Sequence, residues 1–230
     1  MDFYGLQKLT LLDFPQKTAC TIFCGGCNFR CPFCHNAPLV TELKSVQTYS
    51  VSDIISFLKA RIGLLDGVCI TGGEPLLYAD IAEFIAQVKQ MGFLVKLDTN
   101  GSFPERLAEL IGAGLLDYVA MDIKNCKEKY SATIGVPTFD ISPIEKSISI
   151  LMQGNVEYEF RTTVVKEFHT PEDIAAIGNL IEGAPRYFLQ HFVDSGNLIG
   201  QNLHPVSPSE MADMCNISAS FVKNAQIRGL

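Results

Sequence analysis

Short β-branched runs alternate with stretches of helical spacing from Thr18 to Phe192, and this alternation is the strongest constraint on the fold. Residues 18–23 (TACTIF), 67–71 (GVCIT), 93–98, 118–122, 157–165 and 187–192 read as strands. Residues 51–62, with Ser52 as N-cap, and residues 80–91, 104–111, 141–152 and 171–181 read as helices. The spacing of these roughly six strand–helix repeats suits parallel βαβ units. They are too few for a complete eightfold barrel, so the expected class is α/β, a partial, open, TIM-like (β/α)6 barrel. A flat doubly wound sheet is the structural alternative. No Ser/Gly-rich linker or break in composition divides the chain. It reads as one domain over residues 1–230, with a core of about 18–192 and short extensions at both ends.

Hydrophobic residues make up 47% of the chain and charged residues 19%, enough to bury a substantial core. The net charge of −7 and pI near 5.1, with no basic run, argue against nucleic acid or an anionic membrane as partner. The first residues lack a basic and apolar export signal, and no stretch approaches a membrane span. A soluble, cytoplasmic protein is expected.

In either architecture ligands gather at the carboxyl ends of the strands, and the polar and Gly-rich segments fall there. They are the cysteine loop after the first strand, Gly72-Gly73-Glu74-Pro75, Asp98-Thr99-Asn100-Gly101, Asp122-Ile123-Lys124 and Gln190-His191.

Five of the eight cysteines are Cys20, Cys24, Cys27, Cys31 and Cys34. Thiols clustered in this way point to a metal or to redox work rather than to a disulfide framework. Cys27, Cys31 and Cys34 could share one face of a helix, but Gly25-Gly26 and Pro32 count against a helix here. Zinc is a second reading, with Cys24/Cys27 and Cys31/Cys34 as pairs, although closed zinc sites favour well-separated pairs. Three thiolates on an irregular loop can also hold three corners of a [4Fe–4S] cube and leave the fourth iron open for chemistry.

The pattern Cys27-x3-Cys31-x-Phe33-Cys34 resembles the signature of the radical S-adenosylmethionine enzymes. The resemblance implies a partial barrel of that family's type, one [4Fe–4S] cluster on these three cysteines, and S-adenosylmethionine chelated at the fourth iron. Reductive cleavage of that cofactor would yield a 5′-deoxyadenosyl radical. Gly72-Gly73-Glu74-Pro75 is similar to the family's GGEP motif. Its glycines permit close approach of a ligand, and strand-end groups there can meet the methionine ammonium. Asp98-Thr99-Asn100-Gly101 and Met121-Asp122-Ile123-Lys124 resemble the branch that activates glycyl radical enzymes, including the activases of pyruvate formate-lyase. By that likeness Asp98, Asp122 and Lys124 help to bind the cofactor, with Lys124 available to its carboxylate. Asp98 and Asp122 could instead be helix caps or hold a cation between them.

Arg161 stands in an apolar strand and needs a partner, either a cofactor carboxylate or an internal one. His191 matches a family histidine near the ribose or adenine, and Phe33, Cys34 and His35 fit the adenine end. His169 and His204 lie outside any motif and are assigned surface or structural roles. The segments 6–15 and 25–30 are similar to anaerobic ribonucleoside-triphosphate reductase activating proteins, and the likeness runs to about His191. Cys24 departs from that group, which more usually has Thr, and the roles of Cys20 and Cys24 stay open. No further cysteine-rich insert suggests an auxiliary cluster.

The likeness implies a radical-generating activase acting on a glycyl radical enzyme. Anaerobic ribonucleotide reductase stands first and a formate-lyase-type enzyme second, with an external electron donor such as flavodoxin or ferredoxin. A radical enzyme acting on a small molecule is the alternative, though it would need pocket-forming segments that the short stretch after His191 does not offer. A non-catalytic iron–sulfur or zinc module is the third reading.

Overall fold

In the computed structural model, which describes residues 1–230, strand β1 (Asp2–Thr10) leads into β2 (Ala19–Cys24) and then the irregular cysteine loop. After it come a short helix α1 (Pro38–Thr41), β3 (Tyr49–Ser50) and α2 (Val51–Lys59). The chain continues through β4 (Gly67–Gly72), α3 (Ile81–Gln90), β5 (Leu94–Thr99), α4 (Pro104–Gly112) and β6 (Tyr118–Asp122). It ends with α5 (Tyr130–Ile134), α6 (Ser142–Met152), β7 (Glu157–Val164), α7 (Pro171–Leu180), β8 (Tyr187–His191), α8 (Pro208–Ser218) and β9 (Ala225–Arg228).

All nine strands form one sheet, in the order β3-β1-β2-β4-β5-β6-β7-β8-β9. From β2 to β9 every neighbouring pair is parallel. The parallel strands follow one another in chain order without reversal. A doubly wound sheet would reverse at a switch point, so this order selects the barrel-type winding. The sheet never pairs its first strand with its last, which leaves the barrel partial and open. The six expected parallel strands are present, and the series does not close at residue 192: α8 and β9 add a seventh beside β8. On the other side β1 pairs antiparallel with β2 and the two-residue β3 pairs antiparallel with β1 at the edge, elements the sequence reading did not mark.

Local chemistry sets the helix starts. Ser50, not Ser52, caps α2: its side chain accepts from the Asp53 N–H, and Asp53 accepts from the Ser50 N–H at 2.9 Å. Ser50 wins because its extended backbone lies just outside the helix, whereas Ser52 is already within it. The same reciprocal cap recurs with Thr170 and Asp173 on α7 and with Ser207 and Glu210 on α8, each with Pro at the first helical position. One apolar core of 45 buried residues reaches from Phe3 to Val222 and so includes both extensions. The rim ends of β4, β6 and β8 are less buried than the residues before them, and Gly72, Asp122 and Gln190 from these ends line a cleft above the sheet.

Candidate active site

A cleft of about 210 Å³ lies at the carboxyl ends of the parallel strands. Cys27, Cys31 and Cys34 line it together with Phe33 and His35. Gly72 at the end of β4 with Gly73 just after it, Asp98 from β5, Asp122 at the end of β6 with Lys124 in the loop after it, and Arg161 from β7 complete the predicted set found there. Residues 25–36 contain no helix, so the three cysteines are not core positions on a helical face.

The cysteine loop is pinned mainly by backbone contacts. The Gly73 N–H donates to the Cys24 carbonyl and the Glu74 N–H to the Gly26 carbonyl, both at 2.8 Å. A Cβ on Gly73 would lie 2.6 Å from the Gly26 carbonyl carbon and closer still to its oxygen. Gly72 has φ +115°, and a Cβ there would press on the Cys24 backbone. The backbone these glycines admit is therefore that of the cysteine loop, and the bare edge they leave also faces the cleft. On the other side Asn100 donates to Asn28 and Asn28 donates to Ser102, each at 2.9 Å. Asn36 donates to the Gly72 carbonyl at 3.0 Å.

Glu74 is fully buried and does not line the cleft. Its carboxylate accepts from Asn100 N–H at 2.7 Å, Thr99 Oγ1 at 2.9 Å and Leu76 N–H at 3.0 Å, which ties the rim of β4 to that of β5. Burial pushes its carboxyl up to about 7 despite those donors. His191 also points elsewhere: its Nε2 contacts the Val206 carbonyl at 3.1 Å, and Gln190 is the β8 residue on the cleft. His35 stacks on Phe192 with ring centroids 5.7 Å apart, and Phe33 packs against Phe168.

Arg161 finds internal carboxylates. Its Nε donates to Asp122 at 2.9 Å and its Nη1 to Asp98 at 3.1 Å. Lys124 meets the second oxygen of Asp122 at 2.9 Å, and Lys96 meets Asp98. Lys96, Asp98, Arg161, Asp122 and Lys124 thus form a chain of three cations and two carboxylates, with one positive charge in excess beside the thiols. Burial alone would raise the Asp122 carboxyl, but Arg161 and Lys124 outweigh it and hold it at about 2. Burial pushes the Cys27 thiol up to about 11 and that of Cys31 to about 12, while the Lys124 charge pulls both the other way.

Sequence reasoning missed Lys96, which is 2% exposed. A lysine between Val95 and Leu97 in an apolar strand was the available signal, since such a charge needs a partner. His169 is 3% exposed, so of the surface and structural roles expected for it the structural one holds. It contacts the Lys124 carbonyl through Nε2 at 2.9 Å and accepts the Val165 N–H at Nδ1. His204 is exposed and pairs with Glu167. Cys20 and Cys24 are buried free thiols off the cleft. No three His, Cys, Asp or Glu side chains converge on a point where one metal ion would sit. A four-iron cube differs from a single ion in giving each cysteine an iron of its own.

A family profile described as the Radical SAM superfamily matches residues 21–181. A Methanocaldococcus jannaschii protein, provisionally named a glycyl-radical enzyme activating enzyme, is 34% identical over 231 residues, 97% of this chain and 94% of its own length. A GTP 3′,8-cyclase of Alkaliphilus oremlandii is 32% identical over 108 residues, 45% of this chain and 34% of that protein. Among solved structures, a domain of pyruvate-formate lyase-activating enzyme from Bacteroides vulgatus superposes with TM-score 0.58 at 19% identity, over 71% of this chain and 99% of that one. Streptococcus suis SuiB bound to S-adenosylmethionine does so with TM-score 0.70 at 14% identity, over 89% and 48%. At such identities these two show the partial-barrel fold.

Proposed function

The chain belongs to the radical S-adenosylmethionine superfamily, and from that premise we propose that it is an activating enzyme that makes a glycyl radical on a partner protein. The observation that carries this reading is the likeness, over nearly the whole of both chains, to the Methanocaldococcus jannaschii protein of that name. The family's cofactors are a [4Fe–4S] cluster and S-adenosylmethionine. When bound they supply reductive carbon–sulfur cleavage and a carbon-centred radical able to take a hydrogen atom.

The residues on the cleft suit both. Cys27, Cys31 and Cys34 would hold the cluster, because three soft donors on one loop open onto a common space. The charge chain offers one uncompensated cation at the same cleft, and Lys124 is its member nearest the thiols in charge coupling. Lys124 would take the cofactor carboxylate, with Asp98 and Asp122 holding the cations in place. The bare edge at Gly72 and Gly73 would pass the cofactor ammonium. Phe33 and His35, each packed on a second ring, would form the wall for the adenine. Because the sheet is open, a glycine-bearing loop of a partner has a side by which to enter.

Anaerobic ribonucleotide reductase is the first candidate partner and a formate-lyase-type enzyme the second, with flavodoxin or ferredoxin as electron donor. A small-molecule reaction is the competing reading, and the partial match to GTP 3′,8-cyclase is what favours it. The two separate on 5′-deoxyadenosine production by the reduced, cluster-loaded protein. The activase reading expects yield in proportion to added partner protein and unchanged by GTP. Yield that follows GTP and ignores the partner would replace it.

A further inference from the structure

The Cys27 sulfur accepts hydrogen bonds from two groups. The Phe29 N–H donates to it at 3.4 Å and the Asn100 side-chain amide at 3.7 Å, both within reach of a large sulfur acceptor. The first donor belongs to the cysteine loop itself. The second comes from across the cleft, on the residue that follows β5.

The direction of the Asn100 amide is fixed. The Ser102 N–H, which can only donate, meets Asn100 Oδ1 at 2.9 Å, and the Ser102 hydroxyl donates to the same oxygen at 2.6 Å. The amide nitrogen therefore faces the loop, with one hydrogen for Asn28 Oδ1 at 2.9 Å and the other for Cys27. Asn28 in turn donates to the Ser102 hydroxyl at 2.9 Å, so the three side chains close a ring in which each donates to the next. The buried Glu74 carboxylate holds the same residue by its backbone N–H at 2.7 Å. Asn100 is 6% exposed, so little water competes for its amide. A protonated thiol is a weak acceptor and would gain little from a donor held this firmly, whereas a metal-bound thiolate is a strong one.

We propose that Asn100 is a positioning residue for the cluster, its side-chain amide donating to the Cys27 thiolate when that sulfur ligates iron. This rests on the assignment of Cys27 as a cluster ligand. The Asn28–Ser102 ring sets the donor in place beforehand, and Glu74 ties it to the β4 rim. A hydrogen bond to a ligating sulfur stabilises the reduced, more negative cluster, so the amide raises the reduction potential.

The test compares Asn100→Ala, which removes the donor, with Ser102→Ala, in which the backbone N–H of residue 102 still anchors the amide oxygen. Iron content is measured first, in both variants and in Cys27→Ala. Retention of iron by Cys27→Ala would overturn the ligand assignment, separately from the role of Asn100. The midpoint potential is then taken from a redox titration followed by electron paramagnetic resonance, without S-adenosylmethionine, so that cofactor binding does not enter. A shift to more negative potential is expected in Asn100→Ala, with Ser102→Ala close to wild type. A second measurement uses loaded wild type with an isotope label at the asparagine side-chain amide nitrogen. Pulsed electron paramagnetic resonance of the reduced cluster should show a coupling to that label, assigned to Asn100 because Asn28 and Asn36 turn their amides to Ser102 and Gly72. This coupling decides the matter if Asn100→Ala takes up no iron. A wild-type potential in loaded Asn100→Ala, an equal shift in Ser102→Ala, or no coupling in the labelled wild type would overturn the proposal.

Discussion

Gly73 stands against Gly26 so closely that no side chain fits between the β4 rim and the cysteine loop. Gly73→Ala therefore has to push the Gly26 carbonyl outward, and that carbonyl is held by the Glu74 N–H. Because the obstacle is backbone rather than a flexible side chain, a cost of about 3 kcal/mol is expected, the upper end for overpacking. The sequence alone suggests that this change weakens cofactor binding with the cluster intact. The geometry instead predicts that iron content and melting temperature fall together. Full iron in a protein of wild-type stability would contradict it.

Arg161 joins two carboxylates that have few other counter-charges. Arg161→Met leaves Asp98 with Lys96 and Asp122 with Lys124, in a site where all of these groups are largely buried. Each carboxylate keeps one lysine, so the cost is that of the two lost charge-assisted hydrogen bonds rather than of a stranded charge, about 1.5–3 kcal/mol for each. Denaturant unfolding of the cluster-free protein should show that loss. Adding Asp98→Asn to Arg161→Met should deepen it rather than recover it, since the neutral amide leaves the buried Lys96 ammonium without its carboxylate. Strict additivity of the two substitutions would show that the contacts are not coupled.

His169 makes stability depend on pH. Burial lowers its pKa from the ordinary 6.5, and the neutral ring is the form that accepts the Val165 N–H at Nδ1. In the unfolded chain the ring takes up a proton as pH falls below about 6.5, while in the folded chain it resists. The unfolded state then binds more protons, so the His169 contribution is complete above pH 6.5 and declines as pH falls below it. Thermal melts of the cluster-free protein between pH 7.5 and 5.5 should show a smaller decline in His169→Gln than in wild type. Equal slopes would remove His169 as the cause.

Much of the fold was legible because both of its signals are local. β-Branched runs bounded by Gly and polar residues gave the parallel strands from residue 18 to residue 192, and Cys27, Cys31 and Cys34 stood out by spacing. What escaped depends on tertiary contact. β1 carries exposed Gln7 and Lys8 beside buried Phe3 and Thr10, a mixed pattern that becomes a strand only by pairing with β2. β9 is four residues long and is fixed by β8. Glu74 read as a ligand-facing carboxylate because its motif does, and only the turn that aims it at Asn100 and Thr99 shows it facing inward. Lys96 stands between Val95 and Leu97, a signal that it needs a partner, and only its placement shows that partner to be Asp98.

The cluster assignment has its own direct check in iron content. Anaerobically reconstituted protein should carry about four irons per chain, the content of one cube. Cys27→Ala, Cys31→Ala and Cys34→Ala should each lose the cluster's absorbance. Cys69→Ala, Cys126→Ala and Cys215→Ala should retain it, since none of those thiols lines the cleft. Stoichiometric zinc without iron after anaerobic handling would restore the zinc reading.

The most direct measurement of the central claim is electron paramagnetic resonance on the reduced, cluster-loaded protein mixed anaerobically with S-adenosylmethionine and a candidate glycyl radical enzyme. A carbon-centred radical on the partner is predicted, first with anaerobic ribonucleotide reductase and second with a formate-lyase-type enzyme. It should vanish when the partner's radical-site glycine is replaced by alanine. A radical of undiminished intensity in the alanine variant, or none with either partner while S-adenosylmethionine is still cleaved, would contradict the claim.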